Sequence, residues 1–355
     1  MWALVVKEFR QVRRDHRTLA MMIVMPLLLL VVFGYAASFD VDEIPTVVTG
    51  PQASVAEDRL PGLFQVRGSH EDWGRAAAVA HLRNGDAAVA VVTADGSPPE
   101  ILLDGTELFS SRSALTALSQ NTDAPTPEIM FNEDLETSVI MVPALAGMIL
   151  IFVGTMITSL GVVRERQSGT LEQLAVMPFR PRDVFVGKVA PYFLVASIDL
   201  VVIIGVGGWL FDVPFEGSVW LLALGALLFL FVTLGLGVLI SSVSENQGQA
   251  IQLALMSLLP QILLSGMIFP VASMAASIRW ISYFLPLTYF TQIARGVMVR
   301  SEGLDGLWFP LAMLALLGAV IFTFAIVRFR RYLTPAKVKR SRSPVRMKLA
   351  EDGAR

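Results

Sequence analysis

The chain contains no cysteine. That excludes a disulfide scaffold, a cysteine-ligated zinc and a thiol nucleophile, and it leaves the redox compartment open. Charge is scarce as well: Asp, Glu, Lys and Arg make up 16% of 355 residues, where about 25% is usual in soluble domains. Only three histidines occur, His16, His70 and His81, and His70-Glu71 lacks the second histidine of a zinc-protease helix. No G-x-x-x-x-G-K-[ST] run is present; Gly187-Lys188 is followed by Val189 and has no glycine at the upstream position. The chain therefore carries no nucleotide-phosphate cradle of its own. It also lacks the G-x-S-x-G turn that exposes a nucleophilic serine. An intramembrane hydrolase would need paired ionisable groups inside its spans, and Asp199 stands there without a histidine or lysine. No catalytic signature survives this search.

What is present is apolar sequence, at 54% of the chain and a mean hydropathy of +0.62. Disorder is excluded by that much apolar surface, and a soluble two-domain enzyme fits poorly. Lipid is the natural solvent for much of the molecule. A net charge of −2 gives no reason to expect a nucleic-acid partner.

The distribution of charge is more informative than its total. Residues 1–18 hold Lys7, Arg10, Arg13, Arg14 and Arg17, with Trp2, Val5, Val6, Phe9 and Val12 at steps of three and four. This pattern predicts an amphipathic helix lying on the membrane surface. Residues 19–37 are almost wholly apolar and long enough to span. A cleaved signal peptide ending near Ala36-Ala37-Ser38 is the rival reading; the length of the run and Pro26 favour an uncleaved anchor. Residues 38–137 contain five basic residues against seventeen acidic ones, a net of −12. Val47-Val48 is a short apolar run before Gly50-Pro51, and Ala87–Val92 and Glu100–Leu103 suggest short strands. Trp73–Arg83, closed by Asn84-Gly85, and Glu107–Ser119 suggest helices. We expect a small mixed α/β domain here.

Five further apolar runs follow, at 138–163, 184–211, 218–243, 250–271 and 307–327. With 19–37 they give an expected α-helical polytopic membrane protein of six transmembrane helices, an interfacial N-terminal helix and the inserted α/β domain. Five basic residues lie at the N-terminus, five in the joint at 164–183 and just beyond it (Arg164, Arg166, Arg180, Arg182, Lys188), and ten in the tail at 328–355, so 20 of 28 fall on one side of six spans. The positive-inside rule makes that side the cytoplasm and puts residues 38–137 outside. Residues 273–300 are apolar enough for a seventh span, which would put the basic tail on the wrong side. Pro270 and Pro286 break the stretch, so re-entrant or interfacial helices near the outer surface are expected. The tail reads as an anchor on anionic lipid.

Polar residues inside the runs have two readings. Asp199 is either a contact on an internal pathway or a structural hydrogen bond between helices. Gln252, Gln261 and Gln292 read first as interhelical contacts and second as pathway lining.

At the 164–183 joint the sequence runs Arg164-Glu165-Arg166-Gln167-Ser168-Gly169-Thr170-Leu171-Glu172-Gln173-Leu174, then Pro178-Phe179-Arg180-Pro181, Gly187-Lys188 and Pro191-Tyr192. This closely resembles the first cytoplasmic loop of type-2 ABC transporter permeases of the exporter class. Four other segments resemble the same family in the right order. They are Lys7–Asp15 with Pro26 and Phe33-Gly34-Tyr35-Ala36; Asp104-Gly105-Thr106; Met141-Val142-Pro143; and Leu285-Pro286-Leu287-Thr288-Tyr289 with Arg295-Gly296.

The resemblance implies a transport subunit rather than an enzyme, in the bacterial inner (cytoplasmic) membrane, with both termini cytoplasmic. The outer domain between the first two spans is similar to the drug- and small-molecule-efflux branch, whose substrates are small and amphipathic. The implied partners are an ABC ATP-binding subunit and a second permease, as homodimer or related chain. A periplasmic adaptor protein is left open. This chain would hold no cofactor or metal, ATP and Mg residing on the ATPase subunit. Glu165, Arg166, Gly169, Thr170, Leu171, Glu172, Leu174 and Pro178 become the expected ATPase-coupling contact. Gly169 permits a turn, Thr170 caps a short helix, Leu171 and Leu174 face a groove on the partner, and Pro178 with Pro181 returns the chain to the membrane. The alternative is a membrane-anchored ligand-binding or sensing protein that acts through its outer domain without an ATPase.

Overall fold

The structure is a computed structural model, and it describes residues 43–120, 125–169, 181–268, 270–271 and 274–333, with side chains omitted at 181–192 and 329–333. The N-terminal helix expected over 1–18, the run at 19–37 and the basic tail beyond 333 lie outside the described residues.

The first described unit is an α/β domain. Its elements are β1 (Ile44–Thr49), α1 (Ala53–Glu57), β2 (Phe64–His70), α2 (Arg75–Arg83), β3 (Val89–Ala94), β4 (Ser97–Asp104), α3 (Leu108–Ser119) and β5 (Glu128–Met130). The sheet order is β2-β1-β3-β4-β5. All neighbours run parallel except β3 and β4, which form an antiparallel hairpin closed at Asp95-Gly96, with Gly96 at φ +75°. Ile44, Val48, Val89, Val91, Ile101 and Leu103 pack on α1 and α3. The alternate residues Val47, Ala90, Val92 and Leu102 pack on α2. Because β3 is covered on both faces, it belongs to a continuous apolar run, Ala87–Val92, rather than an alternating one.

The second unit is helical: α4 (Thr137–Gln167), α5 (Pro181–Phe211), α6 (Val219–Val243), α7 (Gln247–Leu264), α8 (Ala276–Ser282), α9 (Pro286–Met298) and α10 (Leu304–Leu333). Among the described residues, four helices are long and apolar enough to cross a membrane: α4, α5, α6 and α10. The stretch at 250–271 differs from the expected span. Its helix is 18 residues, carries Gln247, Gln249, Gln252 and Gln261, and ends before Gly266, whose φ of +84° stops helical backbone. Residues 273–300 contain α8 and α9, with Pro286 at the first turn of α9, where a missing N–H costs nothing.

Helix α4 packs against α5, α6, α7 and α9, and α6 packs against α10. Helix α9 is enclosed, with Leu287, Phe290, Ile293, Ala294 and Val297 all in the main core beside Phe229 of α6 and Leu307 and Leu311 of α10. Helix α5 is the opposite case: only 17% of its apolar window is buried, against 56% for α4 and for α6. Leu194, Val201 and Trp209 are left exposed, which suits lipid or a partner helix better than water.

Candidate functional site

The two units meet at a buried charge cluster. Asp104 ends β4, and its Oδ1 accepts hydrogen bonds from the Thr106 backbone N–H at 2.9 Å and the Thr106 hydroxyl at 2.7 Å. This self-turn explains the Asp-Gly-Thr sequence. At the middle position a side chain on Gly105 would collide with the backbone oxygen of Asn132. Asn132 in turn donates to the carbonyls of Gly105 and Glu136, both at 3.1 Å, and accepts from the Glu136 N–H at 3.0 Å. The turn is thereby tied to the start of α4.

From the other side comes the α9–α10 corner. Ser301 there has φ +53°, unusual for a residue with a side chain, and its hydroxyl donates to the Glu216 carbonyl at 2.9 Å. Arg300 and Glu302 flank it and both point inward. Arg300 Nη1 lies 3.6 Å from Asp104 Oδ2, and Nη2 donates to Glu302 Oε2 at 2.9 Å. The Glu302 carboxylate fits between Gly296 of α9 and Gly306 of α10, where either methyl group would strike it. Asp104 is fully buried and Arg300 and Glu302 nearly so. Burial pushes the Asp104 carboxyl up to about 6, with Arg300 opposing. Burial also raises Glu302. For Arg300, burial acts to lower the pKa, and the neighbouring carboxylates more than offset it.

Beside this cluster lies a cavity of about 730 Å³, walled by the 84–88 and 106–110 segments of the α/β domain and by the starts of α4, α9 and α10. That volume suits a drug-sized molecule. Three segments that resemble the permease family converge on it: 104–106, 141–143 and 285–296. The sequence singled these out as motifs, and the fold joins them around one space. Sequence reasoning did not reach Arg300 and Glu302, which match no motif and acquire partners only through tertiary contact.

The other end of α4 carries the expected coupling residues. Ser168 is its C-cap and Gly169 follows at φ +75°, so the helix stops at a left-handed turn. Arg166 Nη1 donates to the Ser241 carbonyl at 3.2 Å, and Nη2 bonds the Ser244 carbonyl. Gln247 Nε2 donates to Gln167 Oε1 at 3.1 Å. A cation thus sits on the last carbonyls of α6, where helix ends favour positive charge, and α4 is clamped to the α6–α7 corner. Glu165 is half-buried nearby. Thr170, Leu171, Glu172, Leu174 and Pro178 lie outside the described residues.

The polar residues of the spans are placed separately. Gln261 is buried, and its Oε1 accepts from the Leu287 N–H at 3.2 Å, capping the start of α9. Gln252 and Asp199 are half-buried, on α7 and α5, and are not brought together with it. Gln292 is exposed and lines the cavity. Among the described residues there is no group of three metal-ligating side chains.

Four long apolar helices packed with an inserted α/β domain are the features of a membrane protein with a folded domain outside its spans. Residues 16–327 match the family described as ABC-2 family transporter protein, and the chain belongs to that family. It is 26% identical over 370 residues to the "Probable multidrug ABC transporter permease YbhR" of Escherichia coli K12, covering 93% of this chain and 98% of that one. With "Probable multidrug ABC transporter permease YbhS" of the same organism it shares 28% over 334 residues, covering 84% and 88%. With "Inner membrane transport permease YhhJ" it shares 33% over 177 residues, covering 49% and 47%.

Proposed function

We propose that the chain is the transmembrane subunit of an ATP-driven exporter that moves small amphipathic molecules out of the cytoplasm or inner leaflet. Six spans, cytoplasmic termini and an outer position for residues 38–137 complete this reading, supported by the charge asymmetry. A separate ATP-binding subunit supplies hydrolysis and binds the 164–183 joint, and a second permease, identical or related, completes the assembly. Family membership and the names of the relatives support the reading. The observation that carries the mechanism is the Arg166 clamp: anything that displaces the joint beyond Gly169 pulls on α4 and α6 together. Closure of the ATPase pair on ATP would push this joint and tilt both helices.

The test is co-purification of the tagged chain from its native membrane. A stoichiometric ATP-binding subunit should accompany it and be lost on Leu171→Ala or Glu172→Ala. Full function in proteoliposomes without any ATP-binding chain would overturn the proposal in favour of a sensing protein.

A further inference from the structure

The cavity wall carries a cation with no hydrogen-bonded carboxylate among the described residues. Arg295 of α9 is half-buried and lines the cavity wall. Its Nε donates to the Ile140 carbonyl at 3.2 Å, Nη1 to Gly266 at 3.4 Å and Nη2 to Met267 at 3.1 Å. All three acceptors are neutral backbone oxygens. A guanidinium has five donors, so two remain, and Glu107 and Asp104 act on the charge only through space. Holding a cation in such a place without a hydrogen-bonded carboxylate is costly unless something else balances it. Arg300 next door shows the contrast, since Asp104 and Glu302 accompany it. Thr291 lies one helical turn before Arg295, lines the same cavity, and has a buried hydroxyl with no partner among the described residues.

The wall is mixed: Met141, Met267, Ile268, Trp308 and Phe309 form an apolar and pliable part of it, while Arg67, Asn84 and Thr106 are among its polar residues. Methionines adapt to varied shapes, and aromatic rings offer broad flat contacts. Among the acids on the wall, Glu302 is engaged by Arg300, and Asp86 lies 3.1 Å from His81. Glu107 and Asp305 also line the cavity, and their charge disfavours a polyanion.

We infer that this cavity binds an amphipathic molecule with a single acidic group, carboxylate or phosphate, the acid on Arg295 and the apolar body against Met141, Met267 and Phe309. Two sources share this chemistry: a soluble amphipath in transit, and the headgroup of an anionic lipid at the membrane surface. As a transport site it rests on the permease reading; as a binding site it does not.

The experiment uses the full chain in phosphatidylcholine nanodiscs with 11-(dansylamino)undecanoate, its methyl ester serving as the uncharged control. The acid should bind at least tenfold more tightly than the ester. Arg295→Gln should cut that preference below twofold, and Arg295→Lys should keep part of it. Filling the cavity from its exposed side with Gln292→Trp should abolish binding of both probes. Equal affinity of acid and ester for the wild type overturns the inference even if Arg295→Gln does not fold. An unchanged preference in folded Arg295→Gln does the same, as does undiminished binding in Gln292→Trp. Adding phosphatidylglycerol then assigns the source: competition identifies a lipid headgroup, and its absence a soluble amphipath. No ATPase is present, so a failed permease reading leaves this result standing.

Discussion

Arg300 cannot be treated as an ordinary surface cation, because two buried carboxylates depend on it. Replacing it with Met removes the positive charge while Asp104 and Glu302 stay desolvated. Breaking a buried pair in this way typically costs about 3–5 kcal/mol. We predict a lowered thermal midpoint for Arg300→Met in detergent, partly restored by adding Glu302→Gln. Asp104 gives a pH signature. Its folded pKa of about 6 lies above the ordinary carboxyl value of 3.8, so the folded state holds the proton more tightly than the unfolded state. The group's contribution to stability is therefore greatest below about pH 4, falls as the pH rises to 6, and is flat above that. The full difference corresponds to about 3 kcal/mol. Thermal unfolding of wild type and Asp104→Asn should diverge across pH 4–6, the wild type losing stability relative to the variant; parallel curves would contradict the assignment.

At the scale of elements, α4 is the connecting rod, with the Asn132-stapled domain turn at one end and the Arg166 clamp at the other. Arg166→Ala should cost about 1–3 kcal/mol, because carbonyls at the end of α6 lose a charged donor. Its stability loss should be smaller than that of Arg300→Met. The apolar runs made the long helices legible in the sequence, and Asn84-Gly85 marked the end of α2. Strand β2 was not legible: Gln65, Arg67, Gly68 and His70 interrupt its pattern, since it is an edge strand with one half-exposed face. Strand β5 is three residues long and carries no periodicity. Of the two ends of α4, the glycine turn could be read from local sequence. The cluster at Arg300 could not, because it joins residues 194 positions apart.

For the whole molecule, the absence of cysteine becomes an experimental asset. Any single introduced thiol is the only one, so labelling reports one place. The charge asymmetry predicts that Asp95→Cys, at the exposed tip of the β3–β4 hairpin, reacts with a membrane-impermeant maleimide on intact cells whose outer envelope has been opened. Ser168→Cys, beyond the last turn of α4, should react only after the inner membrane is permeabilised. Labelling of both from outside would break the six-span arrangement.

Movement at the 164–183 joint should drive α4 and α6 together, and co-reconstitution with the ATP-binding subunit shows whether it does. Substrate-stimulated ATP hydrolysis and ATP-dependent efflux should be measured side by side for wild type and Arg166→Ala. In Arg166→Ala basal hydrolysis should persist while most of the stimulation and efflux is lost, because the clamp between the two helices is gone. Efflux and stimulation equal to wild type would contradict it.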